Sequence, residues 1–135
     1  MTTAVARFSR TLKADQDAPG GARRAIAQRL QWLGTAVDTE LVMLLTSEVV
    51  TNAVVHAPHV RGGSVDVSGE WLDSRFRVSV TNSGPMFGWR PVRLPTVGMR
   101  GRGLALVDRA ARDWGITHDD GTTCVWFEVD CVPAD

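Results

Sequence analysis

The chain has 135 residues, 44% of them apolar, and its 15 basic side chains balance 15 acidic ones. That length supports one domain with a substantial core and excludes two ordinary ones, while the charge balance excludes a sequence-wide field that would hold nucleic acid or an anionic membrane by charge alone. No apolar run approaches a membrane span, and Arg7, Arg10 and Lys13 interrupt the N-terminal segment before a signal-peptide core develops, so a cytoplasmic location and locally recognised partners are expected.

In chain order, a strand is predicted around Ala4–Ser9, then a turn-rich stretch at Asp15–Gly21. A helix of about fifteen residues follows, with Ala22, Ile26, Leu30 and Leu33 at helical spacing and Gly34 as its stop. Asp38 or Thr39 can cap the next helix, Leu41–His56, which should end before Pro58 because proline disfavours helical geometry in the preceding residue. Ser64–Leu72 and Arg75–Thr81 read as a hairpin turned at Asp73 and Ser74, its second strand alternating Phe76, Val78 and Val80 with Arg75, Arg77 and Ser79. Asn82–Arg100, rich in proline and glycine, reads as a functional lid, spanning about residues 83–100. A helix from about Arg102 to Arg112, a strand Asp113–Thr117, a turn His118–Gly121 and a strand Thr123–Asp130 complete the chain. The predicted fold is α+β: a two-layer sandwich with a mixed, mostly antiparallel sheet and helices on one face. Cys124 and Cys131 fall in the last strand and its exit, where seven extended residues span roughly 23 Å, so free thiols are expected.

The Leu41–His56 helix is apolar in nearly every direction, as a buried helix is. Glu48, Asn52 and His56, four apart, form one polar stripe along it. A carboxylate there is costly to bury alone, so Glu48 either pairs with an arginine or faces a polar cavity. His56, near the helix end, suits a C-terminal cap. Gly98-Met99-Arg100-Gly101-Arg102-Gly103-Leu104 precedes a helix with Leu104, Val107, Ala110 and Ala111 inward. Its glycines would let backbone amides and the helix N-terminus approach an anion, although glycine before a helix is often only conformational. The Gly-Lys-[Ser/Thr] loop and the strand-borne Gly-x-Gly-x-x-Gly of the common nucleotide folds are absent.

Taken in order, Glu48-x-x-x-Asn52-Ala53-x-x-His56, Val80-Thr81-Asn82-Ser83-Gly84-Pro85, Gly101-Arg102-Gly103-Leu104-Ala105-Leu106-Val107 and Gly121-Thr122-Thr123 resemble the ATP-binding domain shared by gyrase, histidine kinases and MutL, the Bergerat fold. The phrase Ser47-Glu48-Val49-Val50-Thr51-Asn52-Ala53 and the short length look most like bacterial anti-sigma-factor serine kinases of the actinobacterial type. The resemblance implies Glu48 as general base and Asn52 as ligand to a magnesium ion bridging the phosphates. It implies Gly84, Gly101, Arg102, Gly103 and Leu104 as nucleotide-binding positions, and Thr122 or Thr123 within reach of a phosphate. Asn82 stands where the family usually has an aspartate that accepts from the adenine amino group; its side-chain oxygen can still accept, without the charge. The lid carries Met86, Phe87, Trp89, Arg90 and Arg93 and no acid. The implied protein is an ATP- and Mg2+-dependent serine kinase that sequesters a sigma factor and phosphorylates a serine of an anti-anti-sigma partner, with homodimerisation common in the family. The alternative is a non-catalytic, nucleotide-dependent binding module.

Overall fold

The computed structural model describes residues 7–32, 35–56, 63–83, 102–119 and 122–133. In order these form β1 (Arg7–Lys13), α1 (Ala18–Trp32), β2 (Thr35–Val37), α2 (Thr39–His56), β3 (Ser64–Leu72), β4 (Arg75–Ser83), α3 (Arg102–Ala110), β5 (Asp113–Asp119) and β6 (Thr122–Pro133). The six strands make one sheet in the order β1-β3-β4-β6-β2, with β5 also paired to β6. Every pairing among the described strands is antiparallel, so the sheet is α+β in character as expected, without the parallel component the sequence reading allowed.

Period-two alternation builds the core. On β3, Val65, Val67, Gly69 and Trp71 are buried and their neighbours half-exposed; on β4, Phe76, Val78, Val80 and Asn82 are buried, and on β6 Thr123, Val125, Phe127 and Val129. The register aligns these positions in rows, such as Val67 with Val80 and Val80 with Val125. The rows meet Ala22 and Ile26 of α1, Val42, Leu45, Val49 and Val50 of α2, and Leu104 and Val107 of α3 in one hydrophobic cluster. The helices therefore cover one face, because only one face of each strand is apolar. Among the described residues, no helix is long and apolar enough to cross a membrane.

Local chemistry explains where the boundaries moved. Helix α1 starts at Ala18, inside the stretch read as a turn, because Pro19 in the first turn forfeits no helical hydrogen bond. Gly21 lets α1 approach β1, for a Cβ there would come 3.1 Å from a Leu12 methyl. Of the two candidate caps for α2, Asp38 serves: its Oδ1 accepts from the Leu41 amide at 3.0 Å. The hairpin turns at Asp73 and Ser74 as predicted, with Asp73 at a φ of 51°, a left-handed conformation that aspartate tolerates. Strand β2 went unread because three residues carry no periodicity; it pairs with the tip of β6 at Cys131–Pro133. Strand β1 runs on to Lys13, and α3 ends at Ala110 rather than Arg112. Cys124 and Cys131 are free thiols. Of the predicted turn His118–Gly121, His118 and Asp119 instead extend β5, where they pair with Thr123 and Thr122; residues 120–121, Leu33, Gly34 and the lid with Met86, Phe87, Trp89, Arg90 and Arg93 lie outside the described residues.

Candidate functional site

Glu48 and Asn52 sit one turn apart on α2, both half-buried. Glu48 lines an open pocket of about 330 Å³ with Ala105, Leu106 and Arg109 of α3. Among the described residues Glu48 forms no ion pair, and the pocket it lies on is largely apolar, with Arg109 beside it, rather than the polar cavity the sequence suggested. The neighbouring Ser47 is held from the other side, where Arg23 Nη1 of α1 donates to its Oγ at 2.7 Å. The carboxylate-bearing turn is thus anchored to α1 and open towards α3. The side chain of His56, at the end of α2, is outside the described residues.

A second group of polar positions lies at the end of β4. Asn82 follows Phe76, Val78 and Val80 on the helix-facing side and is 3% exposed. Its Oδ1 is buried with no hydrogen-bond partner among the described residues. Leaving a buried acceptor unsatisfied costs about 1–3 kcal/mol, so such an atom calls for an explanation, and an absent ligand is one. Thr123 pairs directly with Asn82 across β4 and β6 and is equally buried, while Val65 of β3 flanks Asn82 on the other side. Thr123 therefore belongs with Asn82 in the structure. The sequence reading put Thr122 or Thr123 within reach of a phosphate; what the structure adds is the neighbour of Thr123 across the sheet.

The remaining predicted positions divide. Leu104 is fully buried in the core beside Val107, so its side chain packs and only its backbone is left to face a ligand. Arg102 and Gly103 form the first turn of α3, and the Arg102 side chain is outside the described residues. Gly84 and Gly101 lie outside altogether. Helix α2 packs on β3 and β4 and against α3, which joins the Glu48 pocket and the Asn82 row into one side of the molecule.

Two residues escaped the sequence reading. Arg109 reaches the Glu48 pocket because Arg102, Ala105 and Arg109 follow i, i+3, i+7 along α3, a stripe visible in the sequence. Arg23 showed no such signal, since its partner Ser47 lies on another helix.

No curated protein sequence matches the chain. Among solved structures, the crystal structure of the RsbU and RsbW domains of Rv1364c from Mycobacterium tuberculosis matches with a TM-score of 0.70 at 23% sequence identity, over 96% of this chain and 34% of that one. The chain thus spans about a third of that protein's solved length, and the likeness establishes the fold. The family model described as histidine kinase-like ATPase domain matches residues 12–129, which takes in α2, the Asn82 row and α3. The chain belongs to the histidine kinase-like ATPase domain family.

Proposed function

We propose that the chain is an ATP- and magnesium-dependent serine protein kinase that acts as an anti-sigma factor and phosphorylates an anti-anti-sigma, STAS-type partner. The observation that carries the nucleotide is Asn82, whose buried, unpartnered Oδ1 suits an adenine amino group as its missing donor. Thr123, directly across, belongs to the same base-binding end. Asn52 offers one amide oxygen, a hard donor suited to magnesium held mainly by phosphate oxygens and water. The ion neutralises phosphate charge when bound. By the resemblance, Gly101, Arg102 and Gly103 would hold the phosphates and Gly84 would be a further nucleotide-binding position, and the backbone amides that open α3 suit an anion.

In this reading Glu48 does the proton chemistry. The serine Oγ bonds to the γ-phosphorus while the bond from that phosphorus to its bridging oxygen breaks, ADP departs, and Glu48 takes the hydroxyl proton. The open pocket on which Glu48 lies gives a protein hydroxyl a route to the carboxylate. A second reading, a non-catalytic module whose nucleotide occupancy selects partners, is favoured by Asn82 carrying no charge.

Calorimetric titration of Mg-ATP into wild type and Asn52→Ala is the test. Saturable binding that the variant loses supports the site, and a folded wild type that binds nothing refutes it. Glu48→Gln then separates the readings. The kinase reading expects the variant to bind ATP yet transfer no phosphate to a serine of the partner, whereas the binding-module reading expects it to behave as wild type.

A further inference from the structure

We propose that Asn82, as the base-reading residue, accepts 6-oxopurine nucleotides as well as adenine nucleotides, an inference that rests on the nucleotide-binding reading above. Asn82 is held by strands on both sides, Val65 of β3 and Thr123 of β6. Its backbone position is therefore fixed, and what remains free is the rotation of the amide. The Oδ1 has no hydrogen-bond partner among the described residues, so no bond they make to that atom locks the amide in one orientation. A carboxamide carries an acceptor at one end and donors at the other, and its terminal torsion is broad and roughly two-fold.

The two purine classes present opposite patterns at the edge that such a group would read. Adenine offers a donor at its 6-amino group and an acceptor at N1; a 6-oxopurine offers an acceptor at O6 and a donor at N1. A carboxylate, acceptor only, matches the first and sets two acceptors against each other with the second. An amide matches either by turning over.

The experiment is calorimetric titration of ATP and of ITP, each with magnesium, into the full chain. ITP differs from ATP only in the 6-oxo group and the N1 proton. Wild type is expected to bind the two within about tenfold, and Asn82→Asp to prefer ATP by about a hundredfold, the scale on which an unmatched buried polar group discriminates. Should the buried acid unfold the chain, Asn82→Leu serves instead and is expected to weaken both nucleotides alike. Wild-type ATP binding with ITP more than about a hundredfold weaker would overturn the proposal and leave the nucleotide site standing. Equal selectivity in wild type and a folded Asn82→Asp, or undiminished ATP binding by Asn82→Leu, also overturns it. Binding of neither nucleotide by the folded wild type overturns both this inference and the reading beneath it.

Discussion

Glu128 points away from the helices, yet it is only 4% exposed. Its cover is made by side chains of its own sheet face. Arg75 Nη1 bonds Oε1 at 2.7 Å, and Arg77 donates to Oε2 from Nε at 2.9 Å while lying 4.3 Å above the Trp126 ring. Burial by itself pushes the Glu128 carboxyl up, but the hydrogen bonds from Arg75 and Arg77 outweigh it and hold the group below the usual carboxylate range. Because the folded value is the lower one, the stabilisation is complete above the unfolded value of about 4.3 and is lost as the pH falls through the depressed one. Glu128→Gln is expected to cost about 2 kcal/mol near neutral pH, since both arginines are partly solvated and keep water as an alternative partner. Urea unfolding at neutral pH and below about pH 4 checks this: the variant should lose less stability on acidification than wild type, and equal losses would show the triad to be inert.

The elements that the sequence disclosed are those whose pattern is local. The β3–β4 hairpin was legible because Phe76, Val78 and Val80 alternate with polar residues and the chain between Leu72 and Arg75 is a two-residue turn. Helix α2 was legible because its apolar run begins behind a capping aspartate, Asp38. The site on α2 could be read for the same reason, Glu48 and Asn52 being one turn apart on a single helix. What stayed hidden depends on contacts between elements: the β2 pairing, the Arg23 bond to Ser47, and the pairing of Thr123 with Asn82. Gly69 shows how such contacts constrain a strand. In sequence it looks like a weak point in β3, but a Cβ there would lie 2.5 Å from the Phe8 ring and 2.9 Å from the Phe76 ring. Those rings come from the strands on either side of β3, at the register partner of Gly69 on β1 and one row along on β4. Gly69→Ala is therefore expected to destabilise by about 1–3 kcal/mol despite the better strand propensity of alanine, and chemical denaturation measures it. A neutral result would mean that Phe8 swings clear without loss.

For the molecule as a whole, the core closes through apolar rows that owe nothing to a ligand, since Val67, Val78, Val80 and Phe127 join the helices in one cluster. The chain should therefore fold without nucleotide. At the edge of that core stands an acceptor without a partner, the Oδ1 of Asn82. A residue kept for structure would be satisfied by its neighbours, whereas one kept for a ligand costs stability until the ligand arrives. The two roles give opposite signs for one substitution. Asn82→Leu, close in shape and without polar atoms, is expected to raise the stability of the nucleotide-free chain by about 1 kcal/mol, because it removes the unsatisfied group. The same change should abolish the gain that Mg-ATP gives wild type, about 2.7 kcal/mol at a hundred times the dissociation constant. Urea unfolding of both proteins, with and without Mg-ATP, reads the two effects side by side. A variant less stable than wild type in the absence of nucleotide would make Asn82 a structural residue, and the base-binding role would have to move elsewhere.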